Sequence, residues 1–412
     1  MTTNKDFFLS IEEAKEKMSA AITPISGFER LNVRLALNRI LAEDVIATFA
    51  TPPYDNSGMD GYAFRSIDAK GNESISLDLI GTSFAGHPFE DEVQTGQAVR
   101  IMTGAKVPAG ADTVVMQEDT SKTDENTVKI NKIPVKDSNI RHIGDDLNNG
   151  DTILSAGKKL SPTDLAYLAS QGVAEVTVKR KARVAFFSTG DELRSLGEVL
   201  EEGQIYDSNR YSLYGLLKNM DLDVIDMGVI KDDREAIETA FLDAANNADV
   251  VITSGGVSVG DADYVKETLE KLGAVDFWKI SMKPGKPLAF GLINESLFFG
   301  LPGNPVSVIA TFYLVAQPAI QKLLGQKMQP PLVAKAKTTE FLKKRPGRTD
   351  FQRGILSNDE NGDLVVKMAG TQASHILTSM SNANCFVQLD KDSGNIEVGD
   401  TVKVIPFQGL LG

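Results

Sequence analysis

Apolar positions recur at two periods along this chain, and the changes of period divide it. Ile11, Ala14, Met18 and Ile22 stand at helical spacing behind a Ser10-x-x-Glu13 capping box and predict an N-terminal helix. Residues 35–45 are amphipathic in the same way and predict a second packing element. Between about 74 and 140 the helical period gives way to short apolar runs, such as 99–102 and 114–116, punctuated by Gly, Pro and Asp; this predicts a small β domain. Ser161, Pro162 and Asp164 then open a helix carrying Leu165, Leu168 and Ala169, so the β domain interrupts a helical one.

From 183 to 325, apolar β-branched runs at 184–187, 224–229 and 250–253 alternate with helical patterns at 208–220, 233–246 and 264–272. Such alternation predicts parallel strands with right-handed crossovers in a doubly wound sheet. The most apolar stretch, 305–320, is broken by Ser307, Thr311, Gln317 and Pro318. It falls short of the roughly 20 residues of a membrane span and predicts a buried helix. Pro330 and Pro331 mark a linker. Beyond it, strand-like runs at 364–367, 386–389 and 402–405, with turns at Asn361-Gly362 and Ser393-Gly394, predict a second β domain.

At 412 residues the chain is long enough for two to four domains. A net charge of −13 opposes binding to nucleic acid or anionic membrane, so any anionic ligand must meet a locally basic site. One cysteine, Cys385, and three histidines leave no material for a disulfide framework or a structural zinc site. The N-terminal MTTNKDFFLSIEEAKEKM lacks the apolar core of a signal peptide, and a cytoplasmic location is expected.

The unusual polar and glycine-rich stretches of the alternating region each follow a predicted strand: STGDEL (188–193), TSGGVSVGDADY (253–264) and GLPGNP (300–305). In an open α/β sheet such loops share one edge, where ligands bind. Gly255 and Gly256 let backbone N–H groups approach an anion at a helix start, although two glycines can also be just a tight turn. Neither GxxxxGK[ST] nor GxGxxG is present. Lys279, Lys283 and Lys286, in WKISMKPGKP (278–287), can neutralise a phosphate; the plainer alternative is a solvated lysine loop. Glu192, Asp261 and Asp263, with Asp232, suit a Mg²⁺ ion bridging a phosphate, while Asp191 fits a helix cap. Residues 335–353 carry seven basic side chains against Glu340 and Asp350, an anion-attracting patch or a solvated basic hairpin, and Ser374 and His375 follow as neutral donors.

Taken in order, YDNSGMDGYAF (54–64), RIMTGAKVPAGAD (100–112), STGDEL, GQIYDSN (203–209), TSGGVSVGDADY, MKPGKP (282–287), GLPGNP and RPGRTDFQRG (345–354) resemble the molybdenum insertase family. Its members are the molybdopterin molybdenumtransferases, MoeA and the E domain of gephyrin. The similarity runs almost end to end and implies a multidomain α/β plus β fold. Its expected parts are an elongated helical dimerisation region (1–50 and 146–181), a β insert (51–145), a doubly wound, mostly parallel α/β molybdopterin-binding domain (182–328) and a C-terminal β barrel (329–412). It also implies a homodimer with the site between subunits, and transient contact with an upstream adenylyltransferase and with molybdoenzyme acceptors. The implied reaction inserts molybdate into adenylylated molybdopterin and hydrolyses the adenylate with Mg²⁺, releasing AMP and molybdenum cofactor.

Carried over by motif, Asp60, Thr103, Asp146, Glu192, Asp232 and Asp263 match functional positions, with Glu192 and Asp263 the expected Mg²⁺ ligands. Ser254, Gly255, Gly256, Lys279, Lys283, Lys286, Pro302 and Pro305 match the pterin and phosphate pocket, and Arg353 and Ser374 match positions linked to molybdate. Two departures stand out: Gly58 where Ala is familiar, and His142 in place of an Arg. Competing functions are another nucleotide-processing hydrolase on the same domain type, and a scaffold binding a protein through the C-terminal domain.

Overall fold

The computed structural model describes residues 8–256, 264–327 and 330–407. Its centre is a six-stranded sheet in the order Asp223–Ile230, Arg183–Thr189, Val250–Ser254, Ser296–Leu301, Pro287–Ile293, Gly273–Lys279. The first four strands are parallel, and the last two are added antiparallel. Side chains alternate between the faces as a strand's period of two requires. Val184, Phe186 and Ile252 join the core that contains Leu213, Leu217 and Val308, whereas Ala185, Phe187 and Val251 pack with Ile237, Phe241, Val265 and Leu269. The helices Ser208–Asn219 and Arg234–Asn247 therefore cover opposite faces.

The apolar stretch after Asn304 is one helical run from Pro305 to Leu323, with a π-helical turn at Phe312–Ala316. Its 19 residues satisfy the length and composition of a membrane span, yet the run is 72% buried inside the protein and serves as a core helix. The N-terminal helix Ile11–Ala21 has the expected capping box and packs Ala14 and Met18 into the same core. Lys322 Nζ donates to Ser19 O at 2.5 Å and to Ser19 Oγ at 2.6 Å, which ties the two helices together.

Residues 35–45 do pack, burying Ala36, Ile40 and Leu41, but they form no α-helix. A 3-10 turn at Val33–Leu35 is followed by Asn38 at φ 65° and by isolated bridges from Ile40 and Leu41. Val33, Ala36 and Leu41 are buried at helix-like spacing, but the left-handed residue breaks the turn and they reach the core from irregular chain. The neighbouring segments meet through an antiparallel ribbon, Phe28–Asn32 with Glu175–Lys179, so this region is less helical than its sequence suggests. The insert is a curled six-stranded sheet centred on Gly61–Phe64 and Gln97–Ile101. At the C-terminus Ala334–Thr338, Leu364–Met368, Thr349–Asn358, Cys385–Leu389 and Thr401–Pro406 close into a five-stranded barrel.

Candidate functional site

The register of the parallel strands sets Ser188 beside Ser254, Thr189 beside Ile230, and Ser254 beside Leu301. Every strand thus ends at one level, and the loops that follow converge. Asn209, in the first turn of the Ser208–Asn219 helix, fastens them: its Nδ2 donates to Ser254 Oγ at 2.8 Å and to Gly303 O at 2.7 Å. Gly255 and Gly256 have φ of +91° and +65°. A Cβ on Gly255 would lie 2.6 Å from Thr189 O, so glycine is required for the loops to approach this closely. The Gly255 amide itself donates to Leu301 O at 3.2 Å, so that N–H is spent inside the protein rather than on an anion. Around this junction the buried side-chain atoms Ser188 Oγ, Thr189 Oγ1, Asp207 Oδ2, Asn209 Oδ1 and Thr253 Oγ1 lack partners among the described residues. Buried polar groups seldom stay unpaired, so their concentration at one strand edge marks a place where a ligand or ordered water completes the bonding.

The lysines reach the same edge by strand pairing. Lys279 is opposite Pro287, and Ala289 is opposite Gly300, which brings Lys279 and Lys286 level with Pro302. Both ammonium groups lie over the Phe8 ring, at 5.9 and 5.2 Å from its centre. Gly285, at φ +102°, presses the lysine turn onto the core helix, since a Cβ there would lie 2.4 Å from Thr311 Oγ1. Lys283 pairs through its backbone with Asp350 of the barrel, and its Nζ meets Asp350 Oδ2 at 3.1 Å. A cavity of about 760 Å³ opens beside this pair, with Lys343, Arg345 and Arg348 in its wall. Pro302 and Pro305 flank Asn304, which caps the core helix, and the Val306 amide donates to Ser374 O at 3.2 Å. Ser374 is thereby brought against the GLPGNP loop at the start of the core helix.

Other positions depart from a simple anion patch. Arg353 is 1% exposed and donates to Ser379 Oγ, Thr371 O and Ala373 O; burial pushes its guanidinium down to about 10. It shapes the loop leading to Ser374 from behind. Lys344, 3% exposed, donates to the carbonyls of Arg345 and Arg348 at 2.9 Å each. Two of the seven cations in the basic run are thus interior groups that hold the turn.

Among the acids, Glu192 and Asp232 lie close enough to interact. Burial, then the charges of Asp191 and Glu192, raise the Asp232 carboxyl above its usual range. Asp261 and Asp263 lie outside the described residues, and among the described residues no group of three acids or histidines is arranged to hold a metal. Two oxygen donors still fit Mg²⁺, which is commonly held by one or two carboxylates plus substrate phosphates. Asp60 and Thr103 come together on the insert: the Thr103 amide and hydroxyl both donate to Asp60 Oδ1 at 2.7 Å, which lowers the Asp60 carboxyl. Asp146 is exposed, with its amide bonded to Thr51 O at 2.9 Å. His142 Nδ1 is 3.2 Å from Asp55 Oδ2.

Family models match three consecutive parts of the chain. These are the MoeA N-terminal region (domains I and II) over residues 9–172, a probable molybdopterin binding domain over 185–322, and the MoeA C-terminal region (domain IV) over 335–407. A molybdopterin molybdenumtransferase of Haemophilus influenzae is 46% identical over 406 residues, covering 98% of this chain and 100% of that protein. The chain belongs to the MoeA family of molybdopterin molybdenumtransferases. The Nostoc molybdenumtransferase is 37% identical over 92% of this chain and 88% of its own length. The crystal structure of a molybdopterin biosynthesis MoeA protein from Pyrococcus horikoshii superposes with a TM-score of 0.84 at 29% identity, covering 97% of this chain and 100% of that one.

Within this MoeA fold, Asn209 is the residue that motif reasoning passed over. GQIYDSN was visible as a block, but a lone asparagine at a helix start looks like a capping residue. Only the register of distant strands shows what its amide joins. Gly58, the departure from the family's usual Ala, has room for a methyl group, since a Cβ would lie 3.4 Å from Asn139 O.

Proposed function

We propose that this protein inserts molybdate into adenylylated molybdopterin and hydrolyses the adenylate, releasing AMP and molybdenum cofactor. The observation that carries the reading is the joining of two strand-end loops by Asn209, with Lys279 and Lys286 at the same edge, in a chain of the MoeA family. Lys279, Lys283 and Lys286 neutralise the phosphate oxygens, the Pro302–Pro305 loop lines the approach to the pterin, and Ser374 beside it serves the incoming molybdate. Glu192 and Asp232 hold Mg²⁺, which when bound supplies positive charge against the phosphoanhydride. The sulfur ligands of molybdenum belong to the pterin. Cys385, 0% exposed and pushed up to about 11 by burial, stays a protonated bystander thiol.

The active unit in this reading is a cytoplasmic homodimer. The exposed Asp60–Thr103 pair is the part of the insert that meets the partner's loops. Transient docking of the adenylyltransferase and of acceptor enzymes delivers substrate and removes product. The test is incubation of the purified protein with adenylylated molybdopterin, Mg²⁺ and molybdate. AMP and active cofactor should appear, and AMP release no greater than that of a Glu192→Ala control refutes the assignment.

A further inference from the structure

A second cationic cavity, of about 540 Å³, lies at the opposite edge of the central sheet from the loops described above. Its wall includes Lys179, Arg180 and Lys181, just before the Arg183–Thr189 strand begins, and Asp221, just before the Asp223–Ile230 strand. Three of its cations are already balanced. Arg39 meets Glu29 at 3.2 Å, Arg180 chelates Asp249 at 2.7 and 2.6 Å, and Lys181 pairs with Asp221. Lys179 Nζ has only the Ile25 carbonyl, at 3.2 Å, and the Lys159 side chain has no hydrogen bond or ion pair among the described residues. About two positive charges are therefore left facing the cavity of a strongly acidic protein.

The remaining wall is made of amides. Gln317 and Gln321, one turn apart on the core helix, stand beside Gln326, and the buried Gln317 Oε1 has no partner among the described residues. The same glutamines and Lys159 border an adjoining cavity of about 1320 Å³, so the space continues past them. A pair of uncompensated ammonium groups suits a dianion, and a buried orphan acceptor with neighbouring amide donors suits an organic portion bearing hydroxyl or amino groups. The volume falls within the range of small-molecule sites.

We infer that this rear cavity is a second ligand site, separate from the strand-end site, for a phosphomonoester of nucleotide size. Its phosphate sits between Lys159 and Lys179, and its organic part contacts Gln317 and Gln321. Isothermal titration of the full-length protein with AMP tests it, using inorganic phosphate as a second probe. Lys283→Ala, at the strand-end site, should leave one class of AMP binding intact. Lys159→Glu and Gln317→Leu should each weaken that class at least tenfold while keeping wild-type circular dichroism. Molybdenum insertion by Lys159→Glu should match wild type, which separates this site from the proposed function. Loss of all AMP binding in Lys283→Ala, or AMP binding by Lys159→Glu within twofold of wild type, overturns the inference. Inorganic phosphate binding as tightly as AMP overturns the organic subsite.

Discussion

Replacing Asn209 with alanine tests the convergence of loops most directly. The substitution removes both Nδ2 hydrogen bonds, but their losses differ. Gly303 O is solvent-accessible, and water can replace the lost donor. Ser254 is 1% exposed, so its hydroxyl loses a partner where water has little access. Leaving such a group unsatisfied costs about 1–3 kcal/mol. If the loops are held in register mainly by this bond, affinity for the pterin substrate should fall by about 5- to 150-fold. Titration calorimetry of wild type against Asn209→Ala, with thermal unfolding in parallel, measures both terms. Asn209→Asp sharpens the test, because it can still accept from the Ser254 hydroxyl but sets a charge against the Gly303 carbonyl; it should bind no better than the alanine variant. Pterin affinity within twofold of wild type for Asn209→Ala would falsify the claim that this amide assembles the site.

Further outcomes follow from the surrounding groups. In a double-mutant cycle, Lys283→Met and Asp350→Asn should show a coupling of about 1 kcal/mol, kept modest because the Lys283 side chain is half exposed; additive unfolding free energies would dissolve the link between the barrel and the lysine turn. Asp232 is raised in the folded state, so it favours folding while protonated, and that contribution fades as pH climbs through its folded pKa. Mg²⁺ should accordingly stabilise the protein more at the alkaline side of that titration, and Asp232→Asn should flatten the dependence; a Mg²⁺-induced Tm shift independent of pH in wild type contradicts the shared site. Gly58→Ala should raise stability by about 0.4–1 kcal/mol through a stiffer unfolded chain, because the methyl group meets only ordinary contacts. A lower Tm for that variant rejects the reasoning.

The central fold was legible because its sheet faces are encoded locally: β-branched runs give strands, capped amphipathic runs give helices, and glycine-rich loops fall at strand ends. The packing role of residues 35–45 was legible, but not their path: burial at positions 33, 36 and 41 mimics a helical period, while the left-handed Asn38 breaks it. Charge counting failed for a related reason. Lys344 and Arg353 contribute to a basic run on paper, yet both turn inward to carbonyl groups contributed by folding of the barrel. The grouping of Glu192 with Asp232 was legible because loops after parallel strands share an edge, whereas the bridge from Asn209 to Ser254 and Gly303 depends on side-chain geometry that no local pattern records.

The pairing of Met282 and Lys283 with Thr349 and Asp350 has a consequence for biosynthesis. The lysine turn is translated before the barrel strand that fixes it, so a nascent chain can complete its central sheet while this turn is still unpaired. The conformation of this turn is thus settled late, by chain made 67 residues after it.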